Sequence, residues 1–182
     1  MTGMDEGHRE GQRTRRIVVG VSGSLGSLAA LNHAVEEARR TDAEVLAVLA
    51  WLPHGGAHGY RRAPCPPLLA AWREAATSRL REALGDAFDG APSGVRFSSR
   101  TVRAETGHAL VRTADRSDDL LVVGAGSGSR LRRGLRPAVA AYCVRHAACP
   151  VLAVPKPTLQ REPETFRRRN VRHLPAAPAQ GH

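Results

Sequence analysis

The feature that most constrains this chain is the alternation of short apolar runs with segments whose apolar positions recur every three or four residues. Ile17 to Val21 is the first such run, rich in β-branched residues and ended by Ser22-Gly23-Ser24. A strand that is apolar on both sides suits a parallel sheet covered on both faces. From Ser24 to about Arg40, Leu28, Leu31, Val35 and Ala38 recur at helical spacing, with Glu36, Glu37, Arg39 and Arg40 among them. This pattern predicts an amphipathic helix capped by Ser24 or Ser27. Glu44 to Trp51 is apolar again, so the chain opens β-loop-α-β, a unit that implies parallel pairing and a right-handed crossover.

The same alternation continues. Pro53 to Pro67, rich in Pro, Gly and His, predicts a surface loop before a second helix from about Leu68 to Leu84. Val95 to Val102 predicts a strand diluted by Ser98, Ser99 and Arg100, hence one at a sheet edge. A short helix from Gly107 to Arg116, with Leu110, Val111 and Ala114 inward, precedes Leu120 to Val123, the most apolar strand and the one expected at the centre. A glycine and serine run from Gly124 to Ser129 leads through the arginine-rich stretch Arg130 to Arg136 into a helix from Pro137 to about His146. Proline fits a first helical position because its missing N–H has no helical partner there. Pro150 to Val154 predicts the last strand. The expectation is an α/β protein with a doubly wound, five-stranded parallel sheet. Ligands in such sheets bind at the carboxyl ends of the strands where strand order reverses, which directs attention to the loops after Val21 and Val123.

A chain of 182 residues holds one ordinary core. Residues 1–14 and 157–182 lack periodicity and are expected to be disordered, leaving 15–156 as the domain. The longest apolar runs fall far short of the ~20 residues a membrane helix requires. The opening MTGMDEGHREGQRTRR has no apolar segment of the kind that directs secretion. Cys65, Cys143 and Cys149 form no CxxC pair, which points to a reducing cytoplasm. The formal net charge of +10 is carried almost entirely by arginine, lysine occurring only at Lys156. Much of the excess falls in the tails, at Arg13, Arg15 and Arg16 and at Arg161, Arg167, Arg168, Arg169 and Arg172. Weak nucleic-acid binding through these arginine-rich segments is the lesser reading, since no RRM, KH or helix-turn-helix pattern accompanies the charge.

The segments IVVGVSGSLGSLAALNHAVEEA, GHALVRTADRSDDLLVVGAGSGS and AAYCVRHAACPVLAVP together resemble the universal stress protein family over roughly residues 15–156. The resemblance implies an adenine nucleotide alpha hydrolase-like fold with strand order 3-2-1-4-5 and a cytoplasmic location. It also implies a homodimer formed largely through the last strand, at Val151, Leu152, Ala153 and Val154. Many members bind ATP through a loop written Gly-x2-Gly-x9-Gly-Ser/Thr after the fourth strand, where backbone N–H groups cradle phosphate. Counting back from Pro150 places the first glycine at Gly124, the second at Ser127 and the closing pair at Pro137-Ala138. One of the four positions is retained. The family commonly carries Asp at the end of the first strand, where this chain has Ser22.

The resemblance therefore implies a nucleotide site formed by Val21, Ser22 and Gly23 opposite Gly124, Gly126, Ser127, Gly128, Ser129, Arg130 and Ala138. Its ligand would be ATP or another adenine nucleotide, and magnesium would enter only with nucleotide. Arg130, Arg132, Arg133 and Arg136 are either phosphate contacts or solvated loop charges. The alternative is a divergent member that has lost nucleotide binding and acts through contacts with other proteins.

Other groupings favour ordinary structural roles. His54, His58 and Cys65 offer zinc ligand types without the paired spacing of structural sites. Cys143 and Cys149 suit small buried hydrophobes better than redox sensors. Neither Ser22-Gly23-Ser24 nor Gly126-Ser127-Gly128 forms a GxSxG elbow with an identifiable base. Asp118 and Asp119 precede the central strand, where capping or solvation is expected. Trp51 stands near the carboxyl end of the second strand, where core or dimer packing is the expected role and contact with an adenine the alternative. The expectation is a binding or regulatory module with no catalytic residue and with partners still to be identified.

Overall fold

Each apolar run becomes a strand, and the five strands pair in one all-parallel sheet. The computed structural model describes residues 14–88, 92–125 and 139–156. The elements in chain order are β1 (Arg16–Gly20), α1 (Leu25–Thr41), β2 (Glu44–Trp51), α2 (Gly56–Arg62), α3 (Pro66–Ala87), β3 (Arg96–Arg103), α4 (Thr106–Thr113), β4 (Leu120–Gly124), α5 (Val139–His146) and β5 (Val151–Val154). The sheet order is β3-β2-β1-β4-β5, so β1 and not β4, the strand expected at the centre, is the middle one; β4 is as buried as a central strand because it has a neighbour on each side and helices on both faces. The chain therefore winds outward one way from β1, then crosses back to β4, and the order reverses between β1 and β4. Of the expected tails, 1–14 and 157–182, all but residue 14 lies outside the described residues.

Side chains alternate across a strand, and here the alternation builds two cores. Ile17, Val19 and Val21 of β1 and its exit join Val45, Ala47 and Leu49 of β2 beneath Ala30, Leu31, Ala34, Val35 and Ala38 of α1, with Ala76, Leu80 and Ala83 of α3 beside them. Val18, Val48, Leu121 and Val123 point the other way, toward Leu110 of α4 and Cys143 of α5. Helices on both faces make the sheet doubly wound, and β1, β2 and β4 are buried almost throughout. β3 is an edge strand, as its polar residues predict, with Arg96, Ser98, Ser99, Arg100 and Arg103 exposed. Trp51 is 6% exposed and belongs to the first core.

Local chemistry sets the element ends. Ser24 caps α1 by accepting a hydrogen bond from Ser27 N–H at 3.3 Å, and Ser27 lies within the helix rather than capping it. Two prolines occupy the first turn of α3, so the helix begins two residues earlier than its apolar pattern suggests. The segment expected to be a loop contains α2, launched by Gly55 and Gly56 at φ 79° and 73°. Its sequence, GAHGYRR, has no apolar period and buries no residue, so nothing in the pattern distinguishes it from a turn-rich loop.

Two polar residues have roles that differ from expectation. Arg16, counted above with the basic tail, opens β1, and Asp119, expected to be a cap or solvated, is 0% exposed. The Arg16 guanidinium donates to both Asp119 carboxylate oxygens, from Nε at 3.0 Å and Nη2 at 2.7 Å. Nη2 also donates to Asp115 Oδ1 at 2.7 Å and to the Thr113 carbonyl at 2.9 Å. Asp119 accepts a further bond from the Arg116 N–H at 3.1 Å. Burial of a carboxylate is costly without such partners. The pairing holds the Asp115 carboxyl below its usual range and raises the already high guanidinium pKa of Arg16. It ties the amino end of β1 to the connection that leads into β4.

Cys143 and Cys149 sit in the second core and Cys65 is exposed. Burial pushes the Cys143 thiol up to about 11, with neighbouring Cys149 adding to the effect, and burial raises Cys149 too. Both are therefore poor thiolates at neutral pH, which supports the structural role over a redox one.

Two predictions follow from this packing. Asp119→Ala leaves the Arg16 guanidinium without its buried partner and should destabilise the fold by about 3 kcal/mol, the scale of breaking a buried pair. Urea unfolding of the variant checks this, and a loss below about 1 kcal/mol would show that Asp115 alone suffices. A thiol reagent at neutral pH should label Cys65 rapidly in the folded protein and all three cysteines only after unfolding. Rapid labelling of Cys143 in the folded protein would contradict its burial.

Candidate functional site

The crevice expected from the strand order lies where the exits of β1 and β4 meet the start of α1. Val21 is buried and donates its N–H to the Val48 carbonyl of β2 at 2.9 Å, which anchors the exit of β1. Beyond it Ser22, Gly23 and Ser24 are exposed. Serine hydroxyls hold the turn together. Ser22 N–H donates to Ser27 Oγ at 3.2 Å, Ser22 Oγ to Ser24 Oγ at 3.1 Å, and Ser27 Oγ to the Ser24 carbonyl at 2.9 Å. Gly23 takes φ 75°, a conformation that side-chain-bearing residues rarely adopt.

Among the described residues, a Cβ built at Gly23 or Gly26 would meet no atom within 4 Å, so none of them covers the outer side of this turn. The Leu25 and Gly26 N–H groups fall in the first turn of α1, where a helix supplies them no carbonyl, and no acidic side chain lies in that turn. The positive end of the helix dipole is therefore presented without a nearby counter-charge from its own first turn.

Gly124 closes the other side. A Cβ at Gly124 would lie 2.7 Å from the Gly26 carbonyl oxygen, 2.8 Å from its carbonyl carbon and 3.3 Å from Ser27 N. The end of β4 thus rests directly on the first turn of α1, and only glycine permits that approach. Beyond it, Ala125 donates to the Val154 carbonyl at 2.8 Å, which carries the start of the loop alongside β5.

Of the expected site residues, Val21, Ser22, Gly23 and Gly124 converge at this one place. Gly126, Ser127, Gly128, Ser129, Arg130 and Ala138 lie outside the described residues, as do Arg132, Arg133, Arg136 and Pro137. Gly26 and Ser27 were not among the expected site residues. The glycines and serines of SGSLGS carried a signal for a tight turn, but nothing local announced the contact with Gly124, which is distant in sequence. Trp51 is packed in the core, so its indole is not a free face for a ligand. His54 lies against Trp72, ring centroids 5.5 Å apart. Among the described residues no three His, Cys, Asp or Glu side chains converge as metal ligands. The hydroxyls of Ser22, Ser24 and Ser27 engage one another and the backbone, an arrangement that fixes the shape of the turn and differs from a nucleophile paired with a base.

Comparison with known proteins agrees with this architecture. A universal stress protein in complex with cAMP is similar at 28% identity and TM-score 0.53, over 79% of this chain and 98% of the other. A protein of the universal stress protein family from Burkholderia pseudomallei is similar at 27% identity and TM-score 0.54, over 80% and 98%. A universal stress protein from Lactobacillus plantarum shares the fold at 22% identity and TM-score 0.59, over 79% and 99%. No curated protein sequence matches the chain. The family model described as the universal stress protein family matches residues 13–155. That match takes in every strand of the sheet and both loops of the crevice, and this chain belongs to the universal stress protein family.

Proposed function

We propose that this chain is a cytoplasmic regulatory module that binds an adenine nucleotide, with ATP the first candidate, between the exits of β1 and β4. The observation that carries the proposal is the open serine turn at the positive end of α1, set directly against Gly124. Such a place accepts an anionic ligand through N–H groups and hydroxyls. A similar protein is described in complex with cAMP, which supports the adenine class. In this reading the nucleoside side lies against Val21, Ser22 and Gly23, and the phosphates lie toward Gly124 and the loop of Gly126, Ser127, Gly128, Ser129, Arg130 and Ala138. Magnesium would be held mainly by the phosphates, because no carboxylate lies in the α1 turn. Function by occupancy rather than chemistry fits hydroxyls that are engaged with one another. Free cysteines and a chain in which no described helix is long and apolar enough to cross a membrane are compatible with the cytoplasmic setting.

The same module is proposed to work as a homodimer through β5. Among the described residues this strand pairs with β4 on one side only, while Leu152 and Val154 are half-buried and Ala153 exposed. The pairing of Leu121 N–H with Pro150 and of Ala125 N–H with Val154 aims the backbone of alternate residues, Val151 and Ala153, away from β4. A second copy could add there by edge pairing around a two-fold axis. Ala153→Pro should leave the β4 ladder intact, remove one outward N–H and shift the protein to monomer in sedimentation velocity. An unchanged mass would remove β5 as the interface.

Titration calorimetry with ATP, AMP and cAMP tests the nucleotide proposal. Gly124→Asp is a poor probe, because its Cβ would strike the Gly26 carbonyl and unfold the end of β4 whatever binds there. Ser24→Asp is better, since Asp caps helices as well as Ser while placing a negative charge at the turn. Saturable binding weakened about tenfold or more in that variant, the effect of ~1.4 kcal/mol, is expected. Absence of binding at millimolar nucleotide would leave the alternative, a family member acting through protein contacts alone, which the replacement of the family's Asp by Ser22 favours.

A further inference from the structure

The carboxyl ends of β2 and β3, outside the β1–β4 crevice, carry a second surface of different chemistry. Between Trp51 and Glu74 the chain has no carboxylate side chain. That stretch folds as α2 and the start of α3, and three contacts make it one surface. Arg103, at the end of β3, places its guanidinium 4.7 Å from the centre of the Tyr60 ring on α2. A Cβ built at Gly59 of α2 would come 4.0 Å from the carbonyl oxygen of His54, which places that turn of α2 beside His54. The His54 ring in turn lies against Trp72 on α3. Arg61, Arg62, Arg103 and His54 are exposed, and Tyr60 and Trp72 are each partly exposed. α2 buries no residue, so its side chains contribute nothing to either core. Of the carboxylates that flank the surface, Glu74 is paired with Arg81 at 3.5 Å, and Glu105 stands at the N-cap of α4, two residues beyond Arg103.

We infer that this arginine and aromatic surface binds single-stranded nucleic acid. Arginine forks suit phosphate oxygens, and interleaved aromatic rings give bases a face on which to stack, which tolerates any sequence. Charge alone would serve an acidic peptide equally well. The favoured class is set by the two aromatic residues, Tyr60, partly exposed under Arg103, and Trp72, partly exposed where it rests on the first core beside His54. The surface shares no residue with the crevice assigned to adenine nucleotide, so the two assignments fail or succeed separately.

The test is fluorescence anisotropy of a labelled short oligothymidine or oligouridine with the full chain, across a range of salt. With Arg61, Arg62 and Arg103 each meeting one phosphate, the log–log salt slope should be about −2, at ~0.7 per contact for single strands. Arg61→Glu with Arg62→Glu should weaken binding about tenfold or more and flatten the slope. Tyr60→Leu should weaken it about fivefold while leaving the slope in place, because it removes stacking and no charge. These side chains are at the surface, and circular dichroism checks that the variants remain folded. Three outcomes would overturn the inference. One is no binding at low salt, and another is binding untouched by the α2 variants but lost on Arg167→Ser, Arg168→Ser and Arg169→Ser. The third is displacement by poly-glutamate as effective as by the oligonucleotide, which would assign the surface to acidic peptides.

Discussion

The close approach of Gly124 to the carbonyl of Gly26 is the contact on which the architecture of the crevice depends. It brings the end of β4 onto the first turn of α1, so that two segments distant in sequence meet at the point where strand order reverses. Any side chain at residue 124 would force α1 outward from β1 and β4, and α1 supplies much of the first core. The glycine therefore has a packing role that is complete without a ligand. This matters for reading the family's loop pattern, because Gly124 is the one position of that pattern retained here. Its retention is explained by the backbone contact and is not in itself a mark of phosphate binding.

The two ends of the sheet solve opposite problems. At the amino end, Arg16 and Asp119 satisfy each other in a bidentate pair, with Thr113, Asp115 and Arg116 completing the bonds. No polar group of Asp119 is left over, so that end is structural. Buried pairs of this kind specify geometry more than they add net stability, and here the geometry is the alignment of β1 with the entry to β4. At the carboxyl end, the serines organise the α1 turn through one another, and no described residue covers its outer side. The amino end is thus locked by charge pairing, and the carboxyl end is held by hydroxyls and the backbone contact at Gly124.

Membership of the universal stress protein family accounts for the sheet, its order and the location of the crevice, and leaves the surface chemistry to this chain. Ser22 stands where the family commonly has Asp, and the closing residues of the loop are Pro137 and Ala138. A shared fold carries such differences easily, because exposed residues such as Ser22, Gly23 and Ser24 stand outside both cores.

Much of the fold was legible in the residues. β-branched runs such as Ile17 to Val21, the helical spacing of Leu31, Val35 and Ala38, and the polar dilution of β3 each report local burial, and burial is what a layered α/β core selects. The same reasoning could not see α2, whose GAHGYRR has no buried face to impose a period, or the start of α3 at Pro66. It also misplaced Arg16 and Asp119, since a charged residue beside an arginine-rich tail and an acid in an Asp-Asp pair look alike whether solvated or buried. By itself, the sequence determined the fold class and, through family resemblance, the strand order, because periodicity and turn chemistry act over a few residues; it also directed attention to the exits of β1 and β4. Only the tertiary structure decided that Gly124 meets Gly26, that Asp119 closes on Arg16, and that Arg103 lies over Tyr60. Each of these joins residues distant along the chain, and such contacts exist only once the sheet has brought its strands into register.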